Sequence, residues 1–309
     1  MAILKGKLTA LALTLLLAGC AATAPEQAAP PPPATVAIAA TQADRMVQLD
    51  GLRLRVRVEG PANAPPVILI HGFTFSLESW DAWAADLSRD HRVIRYDLAG
   101  HGLSDADPRQ GYGTRERVER LRALMDALGI ERATLAGNSF GGLIAWNFAA
   151  LNPDRVEKLI LVDSGAYSIN GVTEQPVPVP PAMRAHLLAP TPAGVAASAA
   201  LVFAHPDRLT PERLAQMRET IARNGPELVA HLERFTLPEP TALLGQIKTP
   251  TLILWGSADR IVPVDHAARL AAAIPGARAI VYQDVGHAPQ EEAPERTIAD
   301  VRSFLSGKQ

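Results

Sequence analysis

The chain has 309 residues, of which 48% are hydrophobic and 20% are charged, so it is long enough to bury the core of a globular enzyme. Its 30 basic and 32 acidic residues leave a net charge of −2, which gives little support for binding the phosphates of nucleic acid. A single cysteine excludes a disulfide framework and a thiolate zinc site.

The N-terminus has the pattern of a secretory signal over residues 1–19, with two lysines ahead of the apolar run 8–18. That run covers only about half of a hydrocarbon core of about 30 Å, so it is too short to span a membrane. The four residues 17–20 read Leu-Ala-Gly-Cys and resemble the lipobox of bacterial lipoproteins. The resemblance implies cleavage before Cys20 and a lipid anchor on that cysteine, whereas an ordinary cleaved signal is the alternative.

By the same resemblance, Ala21 after the cysteine implies the periplasmic face of the outer membrane of the bacterial cell envelope. Residues 20–45 are rich in alanine and proline, which favours an extended conformation over packing. We therefore predict a tether between the membrane and the folded domain.

From Met46, alternating apolar residues predict an antiparallel hairpin around residues 50–51, with Arg53, Arg55 and Arg57 on a solvent-exposed face. The apolar run 67–70 then predicts a strand buried on both faces. Further strands are predicted at 93–96, 134–136, 158–162, 251–255 and 279–282, and helices at 80–89, 115–128, 140–151, 263–273 and 295–305.

This alternation predicts an α/β fold, in which helices flank a mostly parallel, doubly wound sheet. It is interrupted once, between residues 162 and 251, by a segment too long for a plain connection. Helical patterns at 193–203, 211–223 and 226–235 predict a helical cap over 164–245, inserted between core segments 46–163 and 246–309.

The chemistry centres on Gly137-Asn138-Ser139-Phe140-Gly141, which lies between a predicted strand and a predicted helix. A sharp turn in that position would expose the hydroxyl of Ser139 to a cleft, with glycines on both sides to avoid clashes. To act as a nucleophile, a serine needs a base that removes its proton and an acid that orients the base. His287 and Asp259 each follow a late strand and are the candidates, and Asp163, which also ends a strand, is the rival acid.

The chain order Ser139, Asp259, His287 is typical of α/β-hydrolases. With His71-Gly72-Phe73 and the motif at 97–104, the chain from 46 to 305 resembles a capped member of that family. The resemblance implies an eight-stranded, mostly parallel sheet, an oxyanion hole formed by the amides of Phe73 and Phe140, and no need for a cofactor or metal.

The chain's other histidines need separate interpretation, because eight histidines allow false triads. His71 and His101 flank glycine turns and are expected to brace loops, while Asp97 is expected to accept bonds from backbone amides. The remaining histidines are expected to be ordinary surface or cap residues: His91, His186, His205, His231 and His266.

Three functions remain open. The first is a serine hydrolase of carboxylic esters or lactones. Apolar residues of the predicted cap would suit the acyl or aryl group of such a substrate, or they could form the core of the cap: Val202, Phe203, Leu228, Val229 and Phe235. The second is a carbon–carbon bond hydrolase of meta-cleavage type, which Asn138 and the cap stretch 203–211 favour and Ala288 after the histidine disfavours. The third is a non-catalytic binding protein, which the intact triad disfavours.

Overall fold

A computed structural model of the protein describes residues 44–49, 51–169, 172–237 and 239–307. The predicted signal segment, Cys20 and the predicted tether up to residue 43 lie outside the described residues. The first strand begins at Asp44, slightly ahead of the predicted start at Met46.

Eight strands of the described chain form a single sheet. They are β1 (Asp44–Leu49), β2 (Leu52–Glu59), β3 (Pro66–Ile70), β4 (Arg92–Tyr96), β5 (Ala133–Asn138), β6 (Val156–Val162), β7 (Thr251–Gly256) and β8 (Arg278–Tyr282). Their order is β1-β2-β4-β3-β5-β6-β7-β8. The pairs β1–β2 and β2–β4 are antiparallel and the other pairs are parallel, which confirms the predicted mostly parallel sheet.

Strand β3 shows why the sheet lies in the middle of the domain. Val67 and Leu69 pack into the apolar core on one face, and Ile68 and Ile70 pack into the core on the other. All four are buried. Because neighbouring side chains of a strand point to opposite faces, an uninterrupted apolar run needs helices on both sides of the sheet.

Helices supply that cover. They are α1 (Asp81–Leu87), α2 (Thr114–Ala127), α3 (Phe140–Leu151), α4 (Pro181–Leu188), α5 (Pro192–Val202), α6 (Pro211–Leu232), α7 (Thr241–Leu244), α8 (Asp265–Ala273), α9 (Pro289–Glu292) and α10 (Pro294–Leu305). Residues of α2, α3 and α8 belong to the core with Ile68, and residues of α1 and α10 belong to the core with Val67.

The hairpin β1–β2 forms as predicted, and Arg53 is exposed as expected, but the prediction of a solvent-exposed face is wrong for Arg55 and Arg57. Arg55 is 0% exposed, and its guanidinium pairs with Asp44 at 2.7 Å and with Glu78 at 2.6 Å. Arg57 also pairs with Asp44, at 2.7 Å. Both arginines are therefore stabilised inside the protein by carboxylates from other segments, which the alternation of the strand alone does not reveal.

Helices α4 to α7 occupy the segment between β6 and β7. The prediction of two separate helices at 211–223 and 226–235 is wrong. They form the single helix α6, with Pro226 inside it. Buried Met217, Ile221, Leu228 and Val229 continue one apolar face across the proline. Packing of that face offsets the missing hydrogen bond and the steric clash of a proline, which cost about 3 kcal/mol.

Helices α4, α7 and α9 were not predicted, since each is short and α4 and α9 begin with proline, which is tolerated in a first turn. Among the described residues, no single helix has the length and composition to cross a membrane, and α4 and α5 meet that criterion only as a pair bent by 114°.

Candidate active site

Ser139 lies at a sharp turn between β5 and α3, with φ 53° and ψ −112°. A non-glycine residue rarely adopts a positive φ, so its surroundings must hold the turn in a strained conformation. The glycines on both sides of the turn let neighbouring backbone segments pass close to it. A Cβ on Gly141 would overlap the carbonyl oxygen of Ile70, and one on Gly137 would overlap that of Gly141. This is the strand–turn–helix geometry that the motif predicts.

His287 and Asp259 form a buried hydrogen-bonded pair. The Nδ1–H of His287 donates to Oδ2 of Asp259 at 2.7 Å, because a carboxylate can only accept. The amides of Ile261 and Val262 donate to Oδ1 of Asp259 at 2.7 and 3.0 Å. Burial by itself would raise the pKa of Asp259, but the charge and hydrogen bond of His287, with a hydrogen bond from Asp163, outweigh it and lower that pKa. Asp259 is therefore ionised, and Nε2 is the basic nitrogen of the ring.

Asn138 ties the His287 loop to the turn at Ser139. Its Nδ2 donates to the carbonyl oxygen of His287 at 3.0 Å and to that of Val162 at 3.2 Å. The loop after β3 packs against the same place, since a Cβ on Gly72 would lie 2.9 Å from Oδ1 of Asn138 and 3.3 Å from Cβ of Ser139. Three segments that are distant in the chain thus meet around Ser139.

The predicted oxyanion residues belong to two of these three segments. Phe140 is the first residue of α3, where backbone amides have no partner within the helix. Phe73 directly follows Gly72, and the next residue, Thr74, has a positive φ of 63°. The helix N-terminus favours negative charge, so an oxyanion beside Ser139 would be stabilised there.

Asp163, the predicted rival acid, lies beside Asp259 and is completely buried. One donor atom from each of Asp163, Asp259 and His287 lies within 4.8 Å of the other two, a spread that could hold a metal ion. However, Nδ1 of His287 faces Asp259 with a proton and not with a lone pair, which does not suit a metal ligand. Asp163 accepts a hydrogen bond from the amide of Gly256 at 3.0 Å, so it also bonds the backbone at the end of β7.

His71, by its contacts, connects two loops. Its Nδ1 lies 2.8 Å from the carbonyl oxygen of Gly72, and its Nε2 accepts from the amide of Leu98 at 2.9 Å. Burial lowers the pKa of His71 to about 4, so the ring is neutral at pH 7. The expectation of a surface or cap residue is wrong for His266, which lies on α8 and is only 3% exposed. His231 does lie in the segment predicted as a cap, on α6, but it is buried there.

His231 belongs to a buried cluster that the sequence did not predict. Nη2 of Arg117 lies 2.9 Å from Nδ1 of His231, and its guanidinium carbon lies 4.5 Å from the centre of the Phe140 ring. The ring of His101 packs against that of His231 at a tilt of 38°, with ring centres 4.8 Å apart. Burial lowers the pKa of Arg117 to about 9. The cluster therefore places the buried cation of Arg117 against the ring of Phe140, a predicted oxyanion residue.

Glu292 is a second residue that the sequence did not single out. Its carboxylate accepts hydrogen bonds from the amides of Gly286 at 2.6 Å, His205 at 2.7 Å and Ala204 at 3.2 Å. It therefore holds the loop that carries His287 against the segment after α5. No sequence signal identifies it, because its partners are backbone amides.

A model of the alpha/beta hydrolase fold family matches residues 65–294 of this chain. The chain belongs to the α/β-hydrolase family. This membership confirms the predicted enzyme class, a hydrolase, and the predicted fold.

Named relatives of this α/β-hydrolase act on different substrates. A 2-hydroxy-6-oxo-6-phenylhexa-2,4-dienoate hydrolase from Comamonas testosteroni is 33% identical over 242 residues, covering 73% of this chain and 82% of the relative. The structure of an esterase from Rhodococcus sp. ECU1013 has a TM-score of 0.72 at 26% identity, covering 86% of this chain and 100% of that one. An enol-lactonase from Burkholderia xenovorans has a TM-score of 0.72 at 27% identity, covering 85% and 100%.

Proposed function

We propose that this α/β-hydrolase is a serine hydrolase that cleaves carboxylic esters or lactones through an acyl-enzyme. The observation that carries the proposal is the 2.7 Å bond between His287 and Asp259, on a loop that Asn138 ties to the strained turn at Ser139. A serine hydroxyl is a poor nucleophile unless a positioned base removes its proton, and an oriented imidazole is such a base.

In the first half-reaction, Nε2 of His287 takes the proton of Ser139 as Oγ bonds to the carbonyl carbon of the substrate. The carbonyl oxygen becomes an oxyanion, to which the amides of Phe73 and Phe140 donate hydrogen bonds. The bond from the carbonyl carbon to the leaving oxygen then breaks, and that oxygen takes the proton from His287. The products are an alcohol and an acyl group on Ser139, and with a lactone the alcohol stays attached to the acyl group.

In the second half-reaction, a water molecule gives a proton to His287 as its oxygen attacks the acyl carbon. Collapse of the second oxyanion breaks the ester bond, returns the proton to Oγ of Ser139 and releases the acid. Asp259 keeps its negative charge throughout and stabilises the imidazolium that forms in each half-reaction.

The apolar residues suggested for a substrate pocket divide into two groups. Val202, Phe203, Leu228 and Val229 are buried among other apolar side chains, so they are core residues of the insertion. Phe235 is half-buried, and its ring centre lies 5.6 Å from that of Phe140. Phe235 also packs against the main core, but it is the one residue of this set that stays partly accessible, so in this proposal it is the candidate contact for an acyl or aryl group.

A carbon–carbon bond hydrolase is the second candidate, favoured by Asn138 and by the similarity to a dienoate hydrolase. Two features favour the ester hydrolase over it. Ala288, completely buried, stands where tryptophan is expected in the carbon–carbon enzymes, and the loop Gly72-Phe73-Thr74 has a single glycine where a more glycine-rich loop is expected.

The deciding experiment compares aryl esters of increasing acyl length with a dienoate carbon–carbon substrate on one soluble preparation. We expect a burst of chromophore from the esters equal to the enzyme concentration, and little turnover of the dienoate. Turnover of the dienoate alone would support the second candidate, and binding without any release of chromophore or turnover of the dienoate would support a non-catalytic protein.

The matched control is Ser139→Ala, which keeps the turn but removes the nucleophile. We expect the variant to fold and to lose about four or more orders of magnitude in turnover. If the purified variant kept a tenth of the wild-type turnover, Ser139 would not be the nucleophile.

We also propose that a lipid on Cys20 anchors the enzyme to the cell envelope, at the periplasmic face of the outer membrane. The support for this is the resemblance of residues 17–20 to a lipobox, with the only cysteine of the chain in the position of the lipid acceptor.

A further inference from the structure

Asp163 and Asp259 bring two carboxyl groups together at a buried site beside His287. They follow β6 and β7, which are neighbours in the sheet, so the two side chains start from adjacent strand ends. The donor atoms of the three residues lie within 4.8 Å of one another. Asp163 is held there with a positive φ of 43°.

The hydrogen bonds of this group leave one carboxyl oxygen without a donor. Asp259 accepts two amide bonds at Oδ1 and the bond from His287 at Oδ2. Oδ1 of Asp163 accepts from the amide of Gly256. Oδ2 of Asp163 is buried and has no donor among the residues that the structure describes. An ionised Asp163 would therefore hold a second negative charge with an unsatisfied oxygen, and two adjacent buried carboxylates do not both ionise.

We propose that Asp163 is a positioning residue: as the neutral acid, it donates a hydrogen bond from Oδ2 to the Asp259 carboxylate and so holds that carboxylate for His287. The proposal rests on the proposed function, in which Asp259 orients the catalytic imidazole. Asp163 acts through Asp259 and does not touch the substrate.

The charges around Asp163 agree with this assignment. Burial, followed by the negative charge of Asp259, raises the pKa of Asp163 well above its usual range, and the carboxylate of Glu292 acts in the same direction. The pKa of Asp259 is lowered, in part by the hydrogen bond from Asp163. The three acids thus differ in role: Asp259 carries the charge that faces His287, Asp163 carries a proton, and Glu292 binds backbone amides.

The first measurement does not depend on activity. In the infrared spectrum at pH 7, wild type minus Asp163→Asn should contain the carbonyl stretching band of one protonated carboxyl group, which lies apart from carboxylate bands. Absence of that band would overturn the proposal whether or not the protein hydrolyses esters. Repeating the measurement after treatment with a chelator tests the rival case, in which a bound cation neutralises the pair; a band that appears only then would also overturn the proposal.

The second measurement uses Asp163→Asn and Asp163→Ala with active sites counted by the ester burst. Asparagine can accept from Gly256 and donate to Asp259, so kcat should stay within about threefold of wild type. Alanine removes the donor to a charged group, which corresponds to a loss of about 10- to 100-fold in kcat per active site. The acid limb of the pH profile should be unchanged in Asp163→Asn and should move to higher pH in Asp163→Ala, because Asp259 loses a bond that disperses its charge.

Three other outcomes would overturn either the role of Asp163 or the proposed function. If Asp163→Ala lowers thermal stability but leaves kcat and the pH profile of the counted sites unchanged, the residue is only structural and the proposal fails. If Asp163→Asn moves the acid limb to lower pH, a negative charge has been removed from beside His287, so Asp163 was ionised and the proposal is wrong. If wild type shows the infrared band but neither a burst nor turnover of any ester, the protonated pair stands and the proposed function fails instead.

Discussion

Backbone strain in this α/β-hydrolase is concentrated around the candidate active site. Five non-glycine residues among those described have a positive φ, and four belong to its loops: Thr74, Ser139, Asp163 and Asp284. Each such residue costs on the order of 1–3 kcal/mol and persists only where its surroundings hold it. At Ser139 the surroundings are the crossing glycines, and at Asp163 they include the bond from Gly256. The strain therefore places side chains that relaxed turns would direct elsewhere.

At the same scale, we predict that Asp259→Asn lowers turnover by about a thousandfold or more. Asparagine keeps the size of the side chain but can present its NH₂ to Nδ1 of His287, which favours the wrong tautomer and removes the charge that stabilises the imidazolium. Steady-state kinetics on one activated ester measure the effect, with Asp163→Asn as the control of equal size. A larger loss in Asp163→Asn than in Asp259→Asn would move the catalytic acid to the end of β6.

At the scale of elements, the helix α6 connects the insertion to the rest of the domain. It brings His231 to Arg117 and His101, and its Gly225 packs so closely on α4 that a Cβ would overlap the carbonyl oxygen of Leu187. The helix is continuous despite Pro226, so its packing is stronger than the local preference of the chain to break there.

We therefore predict that Pro226→Ala stabilises the protein. Pro226 is exposed, and alanine would restore an amide hydrogen bond without disturbing buried contacts. The free energy of unfolding should rise by about 1–3 kcal/mol, measured by urea titration. Pro211→Ala is the control, since Pro211 occupies the first turn of the same helix, where a missing amide hydrogen costs little. A loss of stability in Pro226→Ala would show that the proline is required for the packing of α6.

At the scale of the whole molecule, buried histidines make stability depend on pH. Burial lowers the pKa of His71 to about 4 and those of His101 and His231 well below their usual range. Below about pH 6.5 the unfolded chain binds protons that the folded protein does not, so the free energy of unfolding falls as the pH falls towards 4. Asp97, Asp163 and Glu291 have the opposite effect, because burial raises the pKa of Asp97 to about 6 and raises the pKa values of Asp163 and Glu291 above their usual ranges.

We predict a net loss of stability between pH 6.5 and 4, of which His71 alone contributes about 3 kcal/mol. Urea unfolding at several pH values measures it. The control variant His231→Phe keeps an aromatic ring but removes one titrating group, so its stability should fall less steeply with pH. An equal slope in both proteins would contradict the prediction for His231.

The proposed lipid anchor at Cys20 also concerns the whole protein, although residues 1–43 lie outside the described part of the chain. We predict that Cys20→Ser in the full chain abolishes lipid attachment and blocks or diverts processing. Metabolic labelling with a fatty-acid analogue should mark the wild type alone, and Ser139→Ala, which keeps the cysteine, is the labelling control. Equal labelling of wild type and Cys20→Ser would contradict the lipobox interpretation.

The features of this protein that depend on local pattern could be predicted from its sequence. The apolar run of β3, the glycines around Ser139 and the alternation of strands and helices all act over a few residues, so they predicted the sheet and the turn at Ser139. Helix α3 begins and ends at the predicted residues, Phe140 and Leu151.

Contacts between distant segments were decided only by the tertiary structure. Arg55 occupies a position where the alternation predicts a surface residue, but it is buried and paired with Asp44 and Glu78. Arg117 contacts His231, which is 114 residues away in the chain. The sequence presented Asp163 and Asp259 as rivals, whereas the adjacent ends of β6 and β7 place them side by side. The physical reason is that burial and pairing of charged groups depend on which strands and helices become neighbours, and local periodicity does not contain that information.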